Sequence, residues 1–389
     1  MMRAPFQTRP TGGRARRAIA VLALLAPVVV RGQGTLSGQG FGYPLGGLSA
    51  RSVANGGAGA EFDGFSARNP ASAVTGTRSG LHFQYDPEFR QVQLGSARDN
   101  TVTPRFSALG LILPVKNRGA ISLTAHSLLD RTWQTKVRSF ERLGADSVDY
   151  TETNKSSGAL NETRLAFAFA PVEGKIAVGA ALHLVTGENR LTLRREFDDS
   201  LRYGTLARTL TLAYSGTGVS AGVIVRPVTW FSFAASARQG GTINLRVVDT
   251  LRTKANVPNR MGFAAKFDAI PGVSLMASAD HVGWSRMNGL GSTQATAQDA
   301  WEYGVGADFT TARTRRTTNW VYSAGYRTRD LPFAAAGKAV QEKLVTGGMG
   351  APLSGGRATI DLAVQRATRS GGSASERAWM FSVGLTVRP

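Results

Sequence analysis

Beyond residue 78 the sequence alternates with a period of two, apolar then small or polar, in run after run. The last run shows it best. Trp379, Phe381, Val383, Leu385 and Val387 fall on one face of a strand, and Ala378, Met380, Ser382, Gly384, Thr386 and Arg388 on the other. Residues 176–184, 301–309, 320–326 and 358–365 repeat the pattern. A soluble β-sandwich alternates too, so the period alone leaves the solvent open. The makeup of the two faces decides it. Aromatics cap the apolar faces near strand ends (Trp301 and Phe309, Trp320 and Tyr326, Trp379), as an interfacial girdle requires. The opposite faces carry Gly, Ala, Ser, Thr and scattered charge. These cannot build a dry, close-packed core but can line a wet lumen. The expected fold is all-β, a transmembrane antiparallel barrel.

Turn chemistry sets the strand count. Short Pro/Gly turns recur at 113–119, 170–174, 226–229, 269–272 and 351–355. Longer polar connections lie between them at 139–157, 196–204, 250–256, 286–298, 330–339 and 369–375. Short turns on one rim and long loops on the other are the layout of a bacterial outer-membrane barrel. The spacing predicts fourteen strands: 79–97, 104–114, 118–138, 158–170, 173–195, 205–226, 229–249, 257–268, 272–285, 299–310, 316–329, 340–352, 356–368 and 376–388. An even count returns both termini to the periplasmic rim. Several segments exceed the roughly ten residues a tilted strand needs in a bilayer, so hairpins are expected to project beyond it. In the sixth, Leu210, Leu212 and Tyr214 share one parity while Val219, Ala221, Val223 and Val225 share the other. The slip falls at Ser215, Gly216, Thr217 and Gly218, which reads as a wall bulge or as a short loop splitting two strands.

The charge is less informative than it looks. The 389 residues hold 46 Lys and Arg against 26 Asp and Glu, a net +20. Residues 1–17 are basic and free of acids, and thirteen residues without a polar side chain follow at 18–30. That is the makeup of a secretory signal peptide, residues 1–32, cleaved near 32/33. It takes six Arg with it. What remains is spread along the chain without a basic patch interleaved with aromatics, so nucleic acid is not an expected partner. Its natural counter-charge is the phosphorylated lipopolysaccharide among the outer-membrane lipids, and the barrel-assembly machinery is the partner expected for insertion. No Cys is present, and His82, His126, His183 and His281 lie far apart, so no thiolate or zinc centre is expected and no cofactor is assigned.

Residues 33–78 differ from the rest, being rich in Gly, Ala and Ser with little alternation. They would fit as a plug inside a lumen that would otherwise leak. Here the chain resembles a family. The run 50–63, with Gly56, Gly57 and Asp63, followed by Asn69-Pro70-Ala71, is similar to the N-terminal hatch of FadL-like long-chain fatty-acid transporters. The stretches 322–326 and 347–353 and the last strand resemble them as well. The resemblance implies a fourteen-stranded barrel (79–389) with an N-terminal hatch, passive capture of hydrophobic molecules outside, and release through a side opening into the membrane. Barrels of the PorV type share a similar N-terminal motif, which implies instead the binding of secreted protein partners. The terminal Pro389, where an aromatic is usual, departs from the pattern.

Within the hatch, Asn69, Pro70 and Ala71 read either as an element beside the substrate path or simply as a turn. Phe62 and Phe65 read as an apolar cleft or as packing against the wall. Parity assigns Arg164, Arg238, Arg260, Lys266, Asp280, Glu302, Asp308, Arg327 and Asp361 to the lumen. Such charges can hold a carboxylate, but more often pair across the lumen and brace hatch to wall. The bulge at 215–218 is the place where a side opening is expected. No nucleophile elbow or catalytic constellation is present, so an enzyme is not expected. Uptake of hydrophobic molecules, docking of a protein partner and porin-like diffusion are the functions left open.

Overall fold

A computed structural model describes residues 41–388, except 76–78, 95–96, 117, 144–145, 291–295, 312–318, 336–337 and 372–373. The expected signal peptide, residues 33–40 of the expected hatch and Pro389 lie outside the described residues.

Fourteen strands pair antiparallel, each with the next, and the last pairs with the first, so the sheet closes on itself. They are β1 (Gly80–Tyr85 and Glu88–Leu94), β2 (Ala97–Thr103 and Phe106–Val115), β3 (Gly119–Asp130 and Trp133–Leu143), β4 (Asp146–Val172), β5 (Ile176–Phe197), β6 (Leu206–Val228) and β7 (Phe231–Val247). The rest are β8 (Thr250–Asn256 and Asn259–Phe267), β9 (Val273–Gly283), β10 (Ala300–Thr310), β11 (Val321–Ala335), β12 (Lys338–Leu353), β13 (Ala358–Gly371) and β14 (Ala374–Val387). Pro87, Pro104 and Pro258 fall at the interruptions of β1, β2 and β8, where a missing N–H costs the ladder least.

The outward face is the apolar one. On β14, Trp379, Phe381, Val383, Leu385 and Val387 stand exposed, while Ala378, Met380, Ser382 and Thr386 point inward and are buried. Exposed aromatics mark two levels: Trp230, Phe309, Trp320 and Tyr322 near the short-turn rim, and Phe89, Phe106, Trp301 and Trp379 toward the other. The fold is therefore a transmembrane antiparallel β-barrel of fourteen strands.

Three expectations need correction. Most of the long polar connections at 139–157, 250–256, 330–339 and 369–375 are strand, joined by tight turns. Residues 98–103, expected to lie between strands, likewise belong to β2. Outside the bilayer both faces of a hairpin are polar, as where Gln134 opposes Lys155, so no apolar alternation reports the strand. Second, β6 keeps one parity from Leu212 to Ile224, with Leu212, Tyr214 and Ser220 all inward. The slip lies on its neighbour. Gly216 faces Ile243 but Gly218 faces Gly240, so β7 carries the extra residue, while β5 pairs with β6 without interruption. The wall at Ser215–Gly218 is closed. Third, the lumen is not uniformly wet. Toward the long-hairpin rim its inward side chains are apolar: Leu129, Leu160, Val185, Leu212, Ile243, Leu331, Phe333 and Val340 pack together with Phe41, Trp284 and Met287.

Candidate functional site

The N-terminal segment lies against the inward faces of the strands. Its one α-helix among the described residues, α1 (Ala50–Ala54), is capped by Ser49, whose Oγ accepts from the Ser52 N–H (3.2 Å), and it packs on β12, β13 and β14. The 3₁₀ turn Ala60–Phe62 meets β7 and β8, and the turn Pro70–Thr75 meets β3 to β6. Asp63 organises the segment from within. Its carboxylate accepts from Ser52 Oγ (2.8 Å), Ser66 Oγ (2.8 Å), the Phe65 N–H (3.1 Å) and Ser49 Oγ. Asn69 accepts from the Ala71 N–H (2.9 Å) and donates to the Val223 carbonyl (3.3 Å), so it serves as a turn residue and as a wall contact at once. Phe62 packs on Ala177, Ile224 and Ala234, whereas Phe65 stacks on His82 (5.0 Å between centroids) and covers Gly110. Both pack the segment against the wall, on different stretches of it, and both border a polar cavity of about 440 Å³ toward the short-turn rim.

The wall receives this segment on glycines. A Cβ at Gly306 would lie 2.1 Å from the Asn55 carbonyl oxygen, at Gly325 2.3 Å from the Asn55 carbonyl carbon, and at Gly179 2.5 Å from the Ala71 nitrogen. Backbone therefore rests on backbone. Gly56 turns the chain there at φ 72° with the Tyr326 main chain beside it.

Charge completes the attachment. Arg260 contacts Glu61 and Asp280 and donates to Ser236 Oγ (2.9 Å), Arg68 reaches Asp280 (3.4 Å) and Glu302 (3.1 Å), and Arg327 joins Glu302 (2.7 Å). Asp308 accepts from Asn55 (3.3 Å) and Ser323 (2.7 Å), and Arg164 donates to the Ser66 carbonyl (3.4 Å). Arg238 is held by Glu162, Lys266 pairs with Asp268 (3.1 Å), and Asp361 borders the 440 Å³ cavity. Glu61 and Arg68, the segment's own contributions, escape a reading by strand parity because they lie on no strand. Their signal is isolated charge in a Gly/Ala-rich stretch, which must find a partner when buried. An Arg260→Ala change leaves Glu61 and Asp280 without their shared cation. It is expected to cost about 3–5 kcal/mol, read as a lower temperature for loss of the compact barrel on a heat-modifiability gel.

Two networks were not legible from spacing. Near the long-hairpin end of the segment Tyr43 sits among arginines, with the guanidinium of Arg369 4.4 Å, Arg329 5.0 Å and Arg105 5.2 Å from its ring centre. Burial raises its phenol above the ordinary value, so it stays protonated. It donates to Glu342 (2.8 Å) and accepts from Arg329 (2.6 Å). Glu88, Arg90, Asp130 and Glu376 join the same cluster. Tyr43→Phe keeps the ring but takes one hydrogen bond from each of two buried charged groups, Glu342 and Arg329, which remain paired with each other (2.7 Å), for an expected loss of about 1–3 kcal/mol on the same gel assay. The second network joins Glu162, His183 and Ser220 Oγ (2.7 Å from His183 Nε2), with His126 3.8 Å from Glu162. That is the bonding order of a hydrolytic triad. Glu162 is also bound by Arg238, however, and the cavity bordered by His126 and Arg238 holds only about 50 Å³, too little for an ester substrate.

The wall opens elsewhere than expected. The β2–β3 ladder runs from Val115↔Gly119 to Ala108↔His126 and ends there. Beyond that rung β2 pairs only with β1, and β3 only with β4 on its other side. The cause is a bulge. Ser127 faces Asn161 and Leu129 faces Leu160, so Leu128 is the extra residue, and Leu128, Leu129 and Asp130 are all buried as the strand turns inward. The abandoned edge is taken by the N-terminal segment, Tyr43 opposite Asp130 and Pro44 opposite Leu129. Between β2 and β3 lies a groove of about 710 Å³, reaching from outward Phe106 and Val102 to Leu45 of the segment. At the level of Tyr43 and Leu48, below the apolar lumen, a cavity of only about 40 Å³ remains.

No protein-family model matches the sequence, and neither does the sequence of any curated protein. Solved structures do match in three dimensions. A Pseudomonas aeruginosa FadL homologue superposes with TM-score 0.59 at 15% identity, over 90% of this chain and 99% of that one. The CymD monoaromatic hydrocarbon channel gives 0.56 at 15%, over 89% and 98%. The Pseudomonas putida toluene transporter TodX gives 0.56 at 13%, over 90% and 98%. Along nearly its whole described length, the chain has the fold of the FadL-like channels.

Proposed function

We propose that the protein is an outer-membrane channel for passive uptake of hydrophobic molecules. The observation that carries this reading is the parting of β2 from β3 at Leu128, beside an apolar upper lumen and above a lower lumen filled by the N-terminal segment. An apolar upper lumen excludes ions and water but can exchange its contacts for those of a hydrophobic solute. The braced segment blocks the straight path, so the solute leaves sideways between β2 and β3 into the bilayer. In this reading residues 41–75 act as the hatch, secretion by the N-terminal signal brings the chain to the outer membrane, and the barrel has no catalytic role. Long-chain fatty acids and small aromatic hydrocarbons are the two cargo classes to compare. Cells expressing the protein are expected to take up radiolabelled oleate or toluene faster than empty-vector cells. Equal rates for both compounds would refute the reading.

A further inference from the structure

The groove between β2 and β3 has two unlike walls. On the β2 side it presents Val102 and Phe106, 60% and 69% exposed, with Pro104 between them. On the β3–β4 side it presents Gln134, Lys136 and Lys155. The two lysines sit on the outward face of the hairpin. Lys155 opposes Gln134, which lies two residues from Lys136, so Lys136 and Lys155 are diagonal neighbours at a spacing one head group can bridge. Neither makes an ion pair among the described residues, while the other charges at the groove, Arg90, Arg105 and Asp130, are engaged with one another or with Glu88. The chain has only eight Lys among its 46 basic residues, and two of them meet here.

A break in a barrel wall also leaves main-chain groups of two strand edges without ladder partners, here from the level of the outer aromatic belt at Phe106 outward, where lipid head groups can meet them. Tyr43 and Pro44 cover only a short stretch of the β3 edge. We infer that the outer side of the remaining opening carries a resident phosphorylated lipid of the surrounding membrane. Its phosphate sits on Lys136 and Lys155, and its acyl chain lies in the groove against Phe106 and Val102. The volume, about 710 Å³, lies within the range of ligand sites. This goes beyond the transport reading. It assigns an occupant to the outside of the opening and needs only that the barrel be in a bilayer.

The test uses the full barrel in phosphatidylcholine nanodiscs doped with phosphatidylglycerol, with bound lipid counted by native mass spectrometry. One phosphatidylglycerol and no phosphatidylcholine is expected to stay with each barrel. Lys136→Gln with Lys155→Gln is expected to lower retention about tenfold or more. Lys116→Gln with Lys175→Gln, on the opposite rim, is expected to change nothing. Equal retention in both double variants overturns the inference. So does equal retention of phosphatidylcholine, or displacement by oleate at a tenth of the lipid concentration, which would make the groove a cargo station instead. Lost uptake with the lipid still bound supports this assignment and counts against the transport path, so the two fail separately.

Discussion

Replacing Gly306 and Gly325 together by valine is expected to turn a closed barrel into an ion-conducting one. Both glycines lie on inward faces, and the Asn55 main chain approaches where their side chains would be, to 2.1 and 2.3 Å from an ideal Cβ. The colliding atoms are backbone, so no rotamer change relieves them. Asn55 also anchors the segment, through Asp308 (3.3 Å) and the Gly59 N–H (3.2 Å). Displacing it frees the turn at Gly56 and Gly57 and the adjoining helix α1. The strands themselves gain only β-branched residues, which a barrel wall tolerates. Wild-type barrels in a planar bilayer are expected to show conductance near the membrane baseline, and the double variant steps of porin size. Baseline conductance from a folded double variant would mean that the segment is seated by charge alone.

Deleting Leu128 is expected to abolish transport while leaving the barrel folded. Leu128 is the one residue by which β3 exceeds β4 at this point. Without it the strand has no cause to turn inward, and its ladder with β2 can continue past Ala108↔His126. The same change removes the free edge that Tyr43 and Pro44 occupy. Uptake of the transported compound is expected to fall tenfold or more, with the heat-modifiability shift retained. A second construction needs no deletion. Because the chain has no Cys, Val102→Cys with Gln134→Cys places the only two thiols on opposite sides of the groove. A bifunctional methanethiosulfonate should block uptake, and a reductant should restore it. Undiminished uptake in both cases would place the exit elsewhere in the wall.

What the sequence made legible follows from which solvent each strand face meets. In the bilayer the outward face is apolar and the inward face small or polar, so β14 could be read correctly to the side chain. Above the bilayer the assignment reverses, with Leu212 and Tyr214 inward and polar residues outward. An alternation read as one continuous face then looks like a slip at 215–218, although β6 is regular there and the true bulge lies at Gly240 and Gly241 of β7. The projecting hairpins were expected, but their outer parts were read as loops, for the related reason that no apolar alternation marks them. Lumen charges such as Arg260 and Glu302 could be placed by parity, but their partners Glu61 and Arg68 could not, since no periodicity governs an irregular segment. The opening at Leu128 has the weakest signal of all: two adjacent leucines, read as ordinary strand.

The latch at Tyr43 also carries information about time. Its hydroxyl bonds to Glu342, 299 residues downstream, and its ring meets Arg369 of the penultimate strand. Among the first described residues to leave the ribosome, it is among the last to find its partners. Two of its flanking arginines, Arg90 and Arg105, come from the opening strands of the wall, and the other two, Arg329 and Arg369, from the closing ones, so the seam must be joined before all four surround it. The two 3₁₀ turns can already rest on β3 to β8, but the Tyr43 ring has only part of its arginine cage. An incompletely zipped barrel thus leaves Tyr43 half caged, and the settling of a single tyrosine marks the closing of the seam.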